Sequence, residues 1–127
     1  MRLLLDSHAL LWWLDEDSRL GGTTASAIAD PSAEVHVSAV SIAELTIKIG
    51  LGKLTVDGDL QAHVVANDFR ELPLAMAHAS AMQQLPLLHR DPFDRMLIAQ
   101  SRVEGLTLVT ADPKMSGYDV PLMAADR

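Results

Sequence analysis

Residues 2–5, RLLL, set three leucines in a row directly ahead of Asp6-Ser7. Successive side chains of a strand point to opposite faces. A strand written this way has no face to give to water and must be covered on both sides, as the strands of a parallel sheet are. Parallel strands need long crossovers, usually helices, and the rest of the chain supplies them. EVHVS (34–38) alternates as a second strand, a short extended piece falls near Glu71–Leu74, LTLVT (106–110) is the clearest strand, and VPLM (120–123) is a weaker last one. Between them, helices are predicted over 8–14, 23–30, 41–50, 58–69, 75–85 and 92–104. A polar, glycine-containing stretch breaks the pattern at 15–22, Ser38 or Ser41 caps the helix that Gly50 ends, and Asp91-Pro92 opens the helix that Gly105 closes. This order predicts a single α/β domain over residues 1–127, with a mostly parallel four- or five-stranded sheet flanked by helices.

In such sheets ligands bind beyond the carboxyl ends of the strands. That rule selects Asp6, which ends the first strand, and Asp112, two residues past LTLVT. Both carboxylates are expected at one edge of the sheet. With no cysteine in the chain, disulfides, a thiolate nucleophile and a Cys-ligated zinc site are all excluded. The net charge of −7 argues against simple coating of DNA or RNA, where phosphate neutralisation drives affinity. It is compatible with a carboxylate cluster that awaits cations. No apolar run approaches the roughly 18–20 residues of a membrane span. The opening MRLLLDSHALLWWL reads as structure rather than a signal sequence, because Asp6 and His8 interrupt it and no small-residue cleavage site follows. A cytoplasmic protein fits.

Two further acids stand where the core should be. In HRDPFDRMLIAQ (89–100), Asp91 is explained as a helix cap with Pro92 at the first helical position. Asp94 is less well explained so, since a third-position side chain that reaches back to the cap is normally Glu or Gln. Met96, Leu97 and Ile98 follow it, so its turn partly faces the sheet, where a carboxylate is costly unless something positive meets it. Glu44 lies inside the apolar SIAELTIKI, although a pair with Lys48 at i+4 accounts for it equally well. Asp6 as a cap and Asp112 as a turn residue of TADP have ordinary explanations too.

Taken together, LLLDSHALLWWL, VSAVSIAELTIKIGLGKL and HRDPFDRMLIAQSRVEGLTLVTAD resemble the PIN-domain ribonucleases, and most nearly the VapC-type toxins of bacterial type II toxin–antitoxin systems. The resemblance covers essentially the whole chain in order. It implies a PIN-like parallel sheet and a four-acid metal site made of Asp6, Glu44, Asp94 and Asp112, with Ser7 and Thr110 as the family's hydroxyl residues beside the first and fourth acids. It also implies an antitoxin whose segment occludes the site, and a homodimer.

Phosphodiester hydrolysis needs a nucleophile, neutralised phosphate charge and a stabilised leaving oxygen, and a magnesium or manganese ion supplies all three. Magnesium suits an oxygen cluster, whereas zinc wants His or Cys. The five histidines show no paired spacing. His8 and His89 are read as surface residues or outer partners of the acids. To hold RNA, Arg90 and Arg95 are the candidates, with Ser7 and Thr110 as further substrate contacts; Lys48 is another, and Lys53 and Arg102 are read as ordinary surface charges. Trp12 and Trp13 point about 100° apart on a helix, so one is expected in the core and the other in a groove for a partner. The Met-rich stretch 75–84 is assigned to core packing.

Competing functions fare less well. A phospho-acceptor receiver domain needs paired acids after the first strand and a lysine after the last, and a phosphatase needs DxD where this chain has Asp6-Ser7-His8. A non-catalytic acidic interaction module, its acids serving as caps and surface charges, is the remaining alternative.

Overall fold

A computed structural model describes all residues, Met1–Arg127. Five strands form one sheet: β1 (Arg2–Leu5), β2 (Glu34–Ser38), β3 (Arg70–Leu72), β4 (Thr107–Thr110) and β5 (Leu122–Ala124). Their order is β3-β2-β1-β4-β5 and every neighbouring pair is parallel. Six helices flank it: α1 (Ser7–Leu14), α2 (Gly22–Ala29), α3 (Ala39–Gly50), α4 (Leu60–Ala66), α5 (Met76–Ala81) and α6 (Pro92–Glu104). No helix is long and apolar enough to cross a membrane.

The leucine run of β1 divides as its pleat requires. Leu3 and Leu5 join one core cluster with Ala9, Leu10, Leu45, Val64 and Val109, while Leu4 joins the other with Leu97, Ile98, Leu106 and Leu108. All three leucines are fully buried. The chain winds from β1 outward through β2 to β3, then returns to β4 and β5 on the other side of β1. The winding therefore reverses between β1 and β4, and such a switch point opens a crevice at the carboxyl ends of the strands.

Helix boundaries follow their caps. Ser38 Oγ accepts the Val40 N–H, so α3 begins before Ser41, at Ala39. Asp91 and Gly105 bound α6, with Gly105 left-handed at φ 67°. The helix predicted over 58–69 is shorter, because Asp68 turns left-handed (φ 56°) and the Asp68 and Phe69 N–H groups close back on Val65 and Val64. An aspartate tolerates this conformation where most residues do not. The 75–85 segment divides into α5 and a 3-10 turn over Met82–Gln84. Core packing holds there for Met82 but not for Met76, which is 87% exposed. The last strand starts later than expected, at Leu122, because Pro121 has no N–H to give the ladder.

Behind the crevice a buried amide ties three elements together. Gln100 of α6 is fully buried, accepts from the Ser38 hydroxyl at the end of β2, and donates to the Pro73 carbonyl after β3. Replacing it with alanine leaves the Ser38 hydroxyl and the Pro73 carbonyl short of a partner and opens a cavity. Gln100→Ala should cost about 2–4 kcal/mol, read as a lower urea midpoint at unchanged slope. A loss below about 0.5 kcal/mol would contradict this role.

Candidate metal centre

The sheet register places two of the acids. β1 and β4 run side by side with Leu5 opposite Val109, and the Asp6 N–H donates to the Val109 carbonyl at 3.1 Å. Asp6 is thus set beside the end of β4, from which Asp112 emerges two residues later. α3 and α6 pack against each other and bring Glu44 and Asp94 to the same edge. The Ser7 hydroxyl, one residue beyond Asp6, donates to Glu44 Oε1.

The capping expected of Asp6 and the turn expected of Asp112 are both present. Asp6 Oδ1 accepts the Ala9 N–H at 2.8 Å and caps α1. Asp112 Oδ1 accepts the Lys114 N–H at 2.9 Å, and the Asp112 N–H donates to Thr110 Oγ1 at 3.1 Å. Each of these carboxylates is oriented by one oxygen. For Asp112 the other, Oδ2, lies 3.8 Å from His89 Nε2, which is 2.7 Å from Asp94 Oδ2. His89, Asp94 and Asp112 offer ligand atoms that all lie within 4.8 Å of one another.

The electrostatics of this edge are unbalanced. Lys48 Nζ is 3.9 Å from Glu44 Oε2, but no lysine or arginine pairs with Asp6, Asp94 or Asp112. Burial pushes the Asp6 carboxyl above its ordinary range, against the Thr110 hydroxyl and the Ala9 N–H, and Glu44 pushes it the same way. Burial also raises Asp94, to about 6, with His89 opposing and Asp91 and Glu44 adding to the rise. That Glu44 acts on both aspartates shows that the three carboxylates share one field. A hard divalent cation fits this edge: Asp94 and Asp112 offer carboxylate oxygens beside His89, Asp6 and Glu44 stand outside that close group but share its field, and no lysine or arginine answers Asp6, Asp94 or Asp112.

The remaining candidates separate clearly. Arg90 is exposed on the loop before α6. Arg95, expected to meet phosphate, is spent elsewhere. Its guanidinium donates to the carbonyls of Pro86, Met82 and Leu85 and to the Tyr118 hydroxyl, at 2.9, 3.3, 3.4 and 3.3 Å. It anchors the loop rather than facing the crevice. Lys53 is exposed, and so is His8, as expected. Of the two readings of His89, partner of the acids holds and surface residue does not: its side chain is only 11% exposed and its Nε2 meets Asp94 Oδ2. Trp13 packs on Phe69 and donates to Asn67 Oδ1, while Trp12 lies under Arg19. Both are half-buried and line one cleft with Leu14, Asp17 and His63.

A family model for the PIN domain matches residues 3–121. The chain belongs to the PIN-domain family. A relative, Ribonuclease VapC22 of Mycobacterium tuberculosis, is 30% identical over 94% of this chain and 93% of its own length. Three solved structures share the fold. VapBC2 from Rickettsia felis bound to a promoter DNA fragment gives a TM-score of 0.69 at 12% identity, over 97% of this chain and 98% of that one. A toxin–antitoxin complex from Klebsiella pneumoniae gives 0.65 at 12%, and FitAcB from Neisseria gonorrhoeae 0.60 at 19%, each over 97% of both chains.

In this PIN domain Asp94 holds its proton more tightly when folded than unfolded. A carboxyl with a raised folded pKa favours folding below its unfolded value, and that contribution is lost as pH rises through about 6. Asp6 acts in the same direction. In chelator, the protein should therefore melt at a higher temperature at pH 5 than at pH 7.5. Asp94→Asn, which removes the charge and keeps the shape, should stabilise the metal-free protein at pH 7.5 by about 1–3 kcal/mol, several degrees in Tm. Destabilisation by Asp94→Asn under these conditions would contradict the reading.

Proposed function

We propose that the chain, acting as one nuclease domain over residues 1–127, is a Mg²⁺-dependent endoribonuclease, with Mn²⁺ as a substitute, and the toxin of a toxin–antitoxin pair in the cytoplasm. The observation that carries this reading is the pair of aspartates at the carboxyl edge of the sheet, Asp6 buried and Asp94 half-buried, both held above the ordinary carboxylate range and neither paired with a lysine or arginine. A merely structural cap has no reason to bear that cost, which is what disfavours a non-catalytic interaction module. The likeness to a named ribonuclease points the same way.

When bound, the ion supplies a water of lowered pKa and neutralises phosphate charge. Asp6 and Asp94 are its principal holders, with Glu44 and Asp112 as further ligands, directly or through water. Ser7 steadies Glu44, and Thr110 fixes the main chain of Asp112. Arg90, exposed beside the acidic edge, is the substrate-facing cation. The antitoxin is expected to cover this edge; the Trp12–Trp13 cleft, at the far end of α1 from Asp6 and beside the residues that precede β3, is a separate foothold for a partner, and the chain is expected to act as a homodimer.

Purified protein incubated with total cellular RNA should cleave it in Mg²⁺ and not in chelator. Asp6→Asn and Asp94→Asn should each lower the rate by roughly two to three orders of magnitude, the several kcal/mol that metal stabilisation is worth. Cleavage that persists in chelator, or in Asp94→Asn, would refute the assignment.

A further inference from the structure

We propose that His89 is a nitrogen ligand of the metal centre and that it raises the affinity for manganese selectively over magnesium. This rests on the reading of the acids as a metal site. The four acids alone make an all-oxygen set; the histidine changes its chemistry.

The geometry is that of neighbouring ligands. His89 Nε2 stands 2.7 Å from Asp94 Oδ2 and 3.8 Å from Asp112 Oδ2. Adjacent donors on an octahedral ion with bonds of about 2.1 Å are about 3 Å apart. Both carboxylates converge on this one nitrogen, yet a ring N–H satisfies only one acceptor well. A cation between the three groups answers both carboxylates and takes up the lone pair of the neutral ring, whose hydrogen then sits on Nδ1.

The histidine is also held in place. Its main-chain N–H donates to the Tyr118 hydroxyl at 2.9 Å, and Tyr118 is 5% exposed. Arg95 donates to that same hydroxyl and to three carbonyls of residues 82–86. Leu88 is seated so closely on Gly117 that a Cβ there would lie 2.7 Å from Leu88 Cδ1. The loop thus delivers His89 to the acids from a fixed base, and Arg95 and Tyr118 are positioning residues for it.

Manganese shares magnesium's preference for carboxylate oxygens but, as a transition ion, accepts an imidazole nitrogen in its shell more readily, whereas magnesium keeps oxygen ligands and water. His89 therefore adds to the affinity for Mn²⁺ and little to that for Mg²⁺.

The test uses the full chain with Mn²⁺ and Mg²⁺ as probes. Electron spin-echo spectra of bound Mn²⁺ should show nitrogen-14 modulation in the wild type and none in His89→Gln. In competition titrations His89→Gln should lose about tenfold or more in Mn²⁺ affinity with Mg²⁺ affinity nearly unchanged. Absence of nitrogen modulation in the wild type, or equal losses for both ions, would overturn the proposal. Asp94→Asn separates the two readings. If it abolishes binding of both ions while the wild type lacks the nitrogen signal, the metal centre stands and His89 is outside it; if it binds both ions as the wild type does, the metal centre itself fails along with the proposal.

Discussion

The parallel pairing of β1 with β4 is the constraint on which the site depends. Leu5 lies opposite Val109, so the residue after β1 meets the end of β4 at the point where the winding of the sheet reverses. A slip of one residue would turn Leu3, Leu4 and Leu5 to the wrong faces and move Asp6 away from Thr110 and Asp112. The two core clusters that share β1 therefore hold the register as firmly as they hold the fold. The hydrophobic effect fixes where the carboxylates stand, and their mutual repulsion is the cost of standing there.

That cost is offset locally in ways that leave room for a cation. Asp6 and Asp112 each give one oxygen to a main-chain N–H of the element they begin. The Lys48–Glu44 contact is long and partly exposed, so it neutralises little. Asp94 is met by a histidine rather than by a permanently charged group. The result is a group of carboxylates whose positions are set by the protein and of which Asp6, Asp94 and Asp112 meet no lysine or arginine.

Much of this was legible in the sequence. The leucine run, the alternating EVHVS and the capped DPFDRMLIAQ announce strands and helices by their own periodicity, and the strand-end rule brings Asp6 and Asp112 together. Glu44 and Asp94 were legible as carboxylates misplaced beside core residues. Less legible were features set by contacts distant in the chain. Arg95 follows Asp94 directly, so proximity suggested phosphate, but the folded loop over residues 82–89 claims its guanidinium. His89 has no partner histidine at ligand spacing. Its role arises from the turn of HRDPFD, which folds the ring back over Asp94 five residues later, and a histidine two residues ahead of a capping Asp-Pro was the signal available. Met76 follows from composition only as a core residue, and α5 leaves it in solvent.

The central claim is that Asp6, Glu44, Asp94 and Asp112 gather around one metal position. Crystals grown or soaked with Mn²⁺ and measured at the manganese absorption edge test it most directly. The account predicts an anomalous peak in the crevice beyond β1 and β4, within coordination distance of Asp94 and reached by Asp6 directly or through one water. A well-ordered crevice with no peak, or a peak on some other face while these carboxylates keep only protein partners, would contradict it.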